Sequence, residues 1–293
     1  MKCEAIHRNL GRHSICEMCK ALGIDKSTYY KWLLRRERQK SRLENERILI
    51  EKVTEVFIDN KKIYGYRKMN EALLDKDIEI SMYKIRKIMK QNGLYPEIVH
   101  KFKPYPKAKS DGRYSENILN QKFDSKKPDQ IWAGDITYIK TSLGWVYLSV
   151  VMDLYNREIV GYSVSKDVGT ELVKRSLSDA IVRLDNSEGL MFHSDRGVQY
   201  SSKSFSGMLR DYGIVSSMSR SGCPYDNSCV ERFFCSLKRE CIYRKRYSTM
   251  EEVEKDIFEY IELFYNRKRL HSSLGYLSPI DYRIKQREQL LAS

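Results

Sequence analysis

The sequence predicts an α/β domain, with a five-stranded mixed sheet and flanking helices, that is preceded by all-α modules. Three observations lead to this fold class. Apolar residues recur at helical spacing through the first hundred residues, whereas short apolar runs bounded by turn residues begin at Gln130. The positive charge is also one-sided, because residues 1–128 contain 30 Lys and Arg against 17 Asp and Glu, and residues 129–293 contain 23 against 22. A polyphosphate such as DNA is a natural partner for the basic part.

Residues 1–40 have the pattern of a helix-turn-helix segment. Ile15, Met18 and Leu22 recur at helical spacing, and Gly23 is placed to end that helix. A second, basic helix follows, for which Ser27 or Thr28 is a suitable N-cap. This order is typical of DNA-binding units, although an ordinary helical hairpin has the same pattern. On the DNA-binding interpretation, the residues that begin the contacting helix are Ser27, Thr28, Tyr30 and Lys31.

The same region raises the alternative of a zinc site. Its candidate ligands are His7, His13, Cys16 and Cys19. The two cysteines fall inside the first predicted helix, however, and the gaps are compressed for two separate ligand pairs. The sequence therefore favours DNA contact over zinc. The seven cysteines of the chain are expected to be free thiols, because no export signal is present.

Residues 41–100 predict a second helix-turn-helix-like module. A helix over residues 41–60 is followed by two shorter helices, and the last has Ser81 as its N-cap and Gly93 at its end. The last helix is basic, and the residues expected to contact DNA are Lys84, Arg86 and Lys87. Residues 101–128 are rich in lysine, proline and serine, which predicts a basic linker.

Residues 129–245 have the element order of a ribonuclease-H-like domain. Three consecutive strands are predicted over residues 131–139, 145–152 and 157–163, with turns between them that make them antiparallel. Helix, strand, helix, strand and helix then follow, over residues 169–184, 190–193, 202–212, 214–218 and 227–240. Residues 246–293 predict a C-terminal helical extension.

Three carboxylates stand out in this domain. Asp135 lies in the middle of an apolar strand, where an uncompensated charge would be costly to bury. Asp195 follows a short buried strand. Thirty-five residues separate it from Glu231, which lies in the first turns of a helix that Asp226 or Asn227 can cap. Carboxylates from separate elements suit hard cations such as Mg²⁺ or Mn²⁺. Lys238 lies two helical turns after Glu231 on the same face, where it can hold a DNA phosphate.

The motifs around these residues resemble those of a known family. They are residues 132–139 (WAGDITYI), 193–200 (HSDRGVQY), 219–231 (SRSGCPYDNSCVE) and 264–279 (FYNRKRLHSSLGYLSP), with 64–67 (YGYR) upstream. The chain resembles, over nearly its whole length, the integrase-like insertion-sequence transposases, and more narrowly the second-reading-frame (OrfB) products. The resemblance implies a DDE triad of Asp135, Asp195 and Glu231 that binds two Mg²⁺ ions, with Mn²⁺ as a substitute.

The resemblance also implies an activity and a set of partners. The expected reaction is metal-dependent cleavage at the 3′ ends of the element, followed by strand transfer, which is DNA integration by transesterification. The expected partners are the terminal inverted repeats, the target DNA, further copies of the chain on DNA, and an upstream-frame product. Two alternatives are a catalytically silent regulator that occupies the element ends and a host ribonuclease-H-like nuclease. The apolar runs are too short for a membrane span, so no membrane contact and a cytoplasmic location are expected.

Overall fold

The computed structural model describes residues 1–98, 114–121, 123, 125–184, 186–220 and 224–292. These residues divide into two units, Met1–Tyr95 and Pro96–Ser293. The N-terminal unit is entirely helical. Its helices are α1 (Lys2–Arg8), α2 (Ile15–Leu22), α3 (Lys26–Asp59), α4 (Tyr66–Leu74) and α5 (Met82–Gln91).

The first helix-turn-helix forms around the junction of α2 and α3. Ser14 and Glu17 form a capping box at the start of α2, and Gly23 ends it with a φ of 61°. Behind the turn, a small apolar core buries Ile6, Met18, Cys19 and Tyr29. The predicted cap is wrong: α3 begins at Lys26 with Asp25 in the N-cap position, so Ser27 and Thr28 lie inside its first turn.

Helix α3 is also longer than the sequence pattern predicts. It runs unbroken for 34 residues, so the separate helices predicted on either side of residue 40 are one helix. Its middle is exposed and apolar periodicity is weak there, which made the pattern look interrupted. The residues are nevertheless good helix formers, and pairs such as Arg47–Glu51 (3.4 Å) support the exposed surface.

The last helix of the second helical module begins at its predicted cap. The Ser81 hydroxyl accepts a hydrogen bond from the Lys84 backbone N–H at 3.3 Å, which caps α5. Helices α3, α4 and α5 pack on one another. Their buried contacts include Val53, Val56, Phe57, Met69, Leu73, Ile85, Ile88 and Met89.

The C-terminal unit contains the predicted five-stranded mixed sheet. Its strands are β1 (Ile131–Thr141), β2 (Gly144–Asp153), β3 (Ile159–Ser165), β4 (Met191–Ser194) and β5 (Val215–Met218), in the spatial order β3-β2-β1-β4-β5. Strands β1, β2 and β3 are antiparallel, while β4 is parallel to both β1 and β5. This topology confirms the ribonuclease-H-like fold.

Two helices, α6 (Thr170–Ile181) and α7 (Lys203–Asp211), complete the main apolar core. Trp132, Phe192 and Leu177 are among its buried residues. Gly161 on β3 permits the close packing of α6, since a Cβ there would lie 2.3 Å from the backbone oxygen of Ser176. The core therefore holds β1 and β4 rigidly side by side.

The remaining helices are α8 (Ser228–Glu240), α9 (Met250–Phe258) and α10 (Pro279–Leu291), and α9 continues as a π-helix over Glu259–Tyr265. Residues after 245 are bonded to the sheet at several places. The Asn266 side chain binds both the N–H and the carbonyl of Ile159, each at 3.0 Å. Asn156 Nδ2 donates to the Pro279 carbonyl at 3.0 Å. The C-terminal extension is thus built into the C-terminal unit.

Part of the predicted linker also contacts the sheet. Of residues 101–128, the structure describes 114–121, 123 and 125–128, and the rest of that prediction lies outside the described residues. The backbone N–H groups of Ile118 and Leu119 donate to the Ser217 hydroxyl at 3.1 and 3.2 Å. Met218 donates its N–H to the Glu116 carbonyl at 3.2 Å. These residues therefore cover the edge strand β5, whose backbone groups would otherwise need other partners.

Among the described residues, no helix combines the length and the apolar character of a membrane span.

Candidate active site

The parallel pairing of β1 with β4 brings two of the predicted carboxylates to neighbouring positions. Gly134 is the register partner of Ser194. Asp135 and Asp195 each follow directly after that pair, one on β1 and one just past the end of β4. Adjacent strands lie about 4.8 Å apart, so the two residues share one end of the paired segment.

The environment of this pair is largely buried. Asp135 is only 6% exposed. Asp195 Oδ1 accepts the Gly197 N–H at 2.9 Å, which fixes the turn after β4. The pKa of the buried Tyr200 hydroxyl is raised well above its usual value. Burial is the largest cause, and the negative charges of Asp135 and Asp195 add to it. Two carboxylates in such surroundings repel each other unless a cation compensates them.

Glu231, the third predicted carboxylate, lies on α8, whose start is fixed differently from the prediction. Neither Asp226 nor Asn227 caps the helix with its side chain. Asn227 is buried, and its Nδ2 donates to the Gly134 carbonyl at 3.1 Å, next to Asp135. Glu231 lies one helical turn after Asn227. The Asn227 Oδ1 is buried without a hydrogen-bond partner among the described residues.

Asp226 organises the loop before α8. Its carboxylate accepts hydrogen bonds from Asn117 Nδ2 and Gln121 Nε2, both at 2.8 Å, and from the Arg220 backbone N–H at 2.8 Å. Arg220 Nε also lies 3.4 Å from it. The segment at residues 114–121 is thereby bonded to the start of the helix that carries Glu231. The sequence indicated Asp226 only as a cap, because two of its partners, Asn117 and Gln121, lie 109 and 105 residues away.

His193 is a second residue that the sequence analysis did not single out. It is fully buried two residues before Asp195, and its ring nitrogens contact the hydroxyls of Ser217 (2.9 Å) and Ser219 (3.1 Å). Burial lowers its pKa to about 4, against the weaker opposing charges of Asp226 and Asp195. The imidazole is therefore neutral at physiological pH and joins β4 to β5. The adjacent Asp195 was the one signal that could have drawn attention to it.

Lys238 lies beside β1. Its ammonium is 5.0 Å from the centre of the Tyr138 ring. Burial lowers the pKa of Lys238, and the nearby Asp135 charge opposes that effect.

The far end of α8 is held by an ion pair that the sequence did not reveal. Arg269 donates to both oxygens of Glu240, at 2.8 and 2.7 Å, and the Tyr260 hydroxyl donates to Glu240 at 2.7 Å. The side chains of Arg269 and Glu240 are 11% and 10% exposed. Helix α8 is thus anchored at both ends, by Asn227 and by Glu240.

The predicted DNA-contacting residues of the N-terminal unit are all exposed. They are Ser27, Thr28, Tyr30, Lys31, Lys84, Arg86 and Lys87. DNA contact by these residues stays a prediction. Of the zinc candidates, Cys19 is buried in the apolar core with Met18 and Tyr29.

The donor set determines which cation the carboxylates suit. Three carboxylates fit a hard divalent ion such as Mg²⁺ in kind. Their spatial grouping is a separate matter: within the described ranges, no three or more His, Cys, Asp or Glu side chains lie close enough together to hold a metal ion. The fit therefore rests on the Asp135–Asp195 pair and on the buried, unpartnered oxygen of Asn227.

Comparisons with known proteins agree with this architecture. The integrase core domain model matches residues 125–224, a second integrase core model matches 231–286, and an HTH-like domain model matches 44–102. The transposase InsF for insertion sequence IS3A of Escherichia coli (strain K12) is 35% identical, over 97% of this chain and 99% of that protein. The transposase for insertion sequence element IS904 of Lactococcus lactis subsp. lactis (strain IL1403) is 38% identical, over 85% of this chain and 98% of that protein.

Among solved structures, the catalytic core domain of HTLV-2 integrase in complex with magnesium (trimeric form) has a TM-score of 0.42 at 18% identity, covering 54% of this chain and 98% of that chain. The full-length matches to InsF and to the IS904 protein have much higher identity. On those two matches and the matched domain models, the chain belongs to the transposases of IS3-type insertion sequences, with an integrase core and an HTH-like domain.

Proposed function

We propose that the chain binds the ends of an insertion sequence and carries out metal-dependent 3′-end cleavage followed by strand transfer. The observation that carries the proposal is the neighbouring position of Asp135 and Asp195 after the Gly134–Ser194 register pair, in a chain of a transposase family. The bond from Asn227 to Gly134 supports it further, because it ties the helix of Glu231 to the same strand.

Asp135, Asp195 and Glu231 are the residues that would hold the divalent cations, two Mg²⁺ ions with Mn²⁺ as a substitute. Such ions, when bound, activate a water or a 3′-hydroxyl and stabilise the leaving oxygen. Asn227 keeps α8 in position, and the anchored Glu240 does the same at the other end of the helix. Lys238 is suited to bind the phosphate beside the reacting group, since its ammonium already lies close to β1.

The helical modules would supply the affinity for DNA. The exposed basic residues of α5 suit phosphate contacts, as does the start of α3. Two element ends must be joined in transposition, so we expect several copies of the chain on DNA, or pairing with an upstream-frame product.

The test uses purified full-length protein, labelled element ends and Mg²⁺. We expect Asp135→Asn, Asp195→Asn and Glu231→Gln each to reduce cleavage and joining at least a hundredfold, on the order of the loss caused by removing one stabilising group from an active site. End binding should stay within about twofold of wild type, because the modules that bind DNA are untouched. Asp211→Asn is the matched control, since Asp211 is exposed at the end of α7.

Efficient strand transfer by any of the three variants would contradict the assignment of the triad. A wild-type protein that binds ends but yields no Mg²⁺-dependent product would instead favour the catalytically silent regulator.

A further inference from the structure

The β1–β2 hairpin extends beyond the sheet positions that β4 occupies. β4 pairs with β1 from Ile131 to Gly134, while the β1–β2 pairing continues to Thr141 and Gly144. In this projecting part, Tyr138 is opposite Tyr147 and Lys140 is opposite Trp145. Because side chains alternate along a strand, these four residues share one face of the hairpin. We call them the hairpin face.

The hairpin face is aromatic, basic and accessible. Trp145 is 42% exposed and Lys140 is exposed, while Tyr138 and Tyr147 are half-buried. The rings of Tyr138 and Trp145 meet edge to face, with centroids 5.7 Å apart, so they support each other. The alternate residues of β2 in this part, Val146 and Leu148, are buried on the opposite side of the hairpin.

This face adjoins the candidate active site through Lys238. The Lys238 ammonium lies 5.0 Å from the Tyr138 ring, and Lys238 is two helical turns after Glu231. Tyr138 and Asp135 are three residues apart on β1, so their side chains leave the strand on opposite faces, and Lys238 is the group that connects the hairpin face to the helix of Glu231. A DNA strand whose phosphate contacts Lys238 would therefore have its neighbouring base within reach of the aromatic rings.

We propose that the hairpin face, with Lys238 at its edge, binds the unpaired strand of a DNA end. Aromatic rings stack on bases of any sequence, and the lysines bind the phosphates between them. A base pair inside a duplex does not offer its face for stacking, so the surface selects a strand that has separated from its complement. A second copy of the chain is a poorer occupant, because two such faces would bring Lys140 and Lys238 against like charges.

The proposal deepens the proposed function, on which it rests for the presence of a DNA strand beside Asp135. It concerns binding and not cleavage, so it is tested without any divalent cation. The full-length protein is titrated with labelled element ends that are either blunt or carry a short unpaired 3′ tail. We expect wild type to prefer the tailed end and Trp145→Ala to lose about tenfold of that preference, which is the effect of one stacked base.

Two further variants make the experiment specific. Trp145→Phe retains a ring and should keep most of the preference. Tyr212→Ala is the matched control, because Tyr212 is 45% exposed but follows α7, at the end of the sheet where β4 and β5 begin. Oligothymidylate should quench the tryptophan fluorescence of Trp145→Phe less than that of wild type. This measurement tests the proposal even if Trp145→Ala does not fold.

Equal affinity of Trp145→Ala and wild type for tailed ends would overturn the proposal. The proposal would also be overturned if Trp145→Ala changed the molecular mass of the protein in solution but not its affinity for DNA. The hairpin face would then be a contact between copies of the chain. A tail preference that depends on Trp145 in a protein without cleavage activity would support the hairpin face and contradict the proposed catalysis, so the two failures are distinguishable.

Discussion

Removing Arg269 from its ion pair with Glu240 should strongly destabilise the C-terminal unit. Replacing Arg269 with Met removes both of its hydrogen bonds to Glu240 and a third, at 3.3 Å, to the Ser236 hydroxyl. Glu240 would remain, nearly buried, with the Tyr260 hydroxyl as its closest donor. The perturbation therefore leaves a carboxylate without its cation in a poorly solvated position.

The size of the effect follows from this burial. Removing one partner of a buried pair typically costs about 3–5 kcal/mol, because the remaining charge is uncompensated. Replacing both Arg269 and Glu240 with Met removes the charge as well, and the main remaining loss is the acceptor for the Tyr260 hydroxyl, roughly 1–3 kcal/mol. We therefore expect the double variant to be more stable than Arg269→Met.

Urea unfolding of the full chain measures this difference. Trp132 is buried in the core of the C-terminal unit, so its fluorescence reports on that unit once Trp32 and Trp145 are replaced with Phe. Lys174→Met is the control, because its pair with Glu171 is 30% and 73% exposed and should contribute under about 1 kcal/mol. A loss below about 1 kcal/mol for Arg269→Met, or a double variant less stable than both single variants, would refute the reasoning.

Two further predictions concern other buried polar groups. Asn227→Ala removes the bond to the Gly134 carbonyl and should raise the Mg²⁺ concentration needed for cleavage about 10–100-fold, with unchanged end binding; an unchanged Mg²⁺ dependence would show that Asn227 does not position Glu231. Burial raises the pKa of Asp153 to about 7 against bonds from the N–H groups of Tyr155 and Asp129. Because the pKa is higher in the folded than in the unfolded state, the stability of wild type falls as pH rises from about 4 to 7. Asp153→Asn lacks this titration, so its free energy of unfolding should rise by roughly 3–4 kcal/mol relative to wild type across that range. Thermal unfolding at a series of pH values measures the difference. A difference that stays constant with pH would contradict this.

Much of the fold was predictable from local patterns. Apolar runs bounded by turn residues predicted β1 and β2 within two residues of their ends. Ser81 caps α5 as predicted. The prediction failed in the middle of α3, where exposed charged residues continue the helix and no buried apolar residue marks it.

The acidic residues of the candidate site could be predicted from the sequence, but the hydrogen bonds and ion pairs that hold the surrounding elements in place could not. Asp135 and Asp195 were recognisable because each acid stands beside an apolar strand. Most partners of Asp226 and Glu240 could not be found in this way. Asn117 and Gln121 lie 109 and 105 residues from Asp226. Tyr260 and Arg269 lie 20 and 29 residues from Glu240. Local pattern carries no information about such pairs.

The sequence by itself determined the order of the elements, the one-sided positive charge and the acids that suit a divalent cation, because these depend on side-chain chemistry and on spacing within single segments. The tertiary structure alone decided that Gly134 and Ser194 are register partners, that Asn227 ties α8 to β1, and that residues 114–121 and the C-terminal extension belong to the C-terminal unit. The physical reason is that a buried polar group must find a partner somewhere in the fold, while the chain order does not specify where.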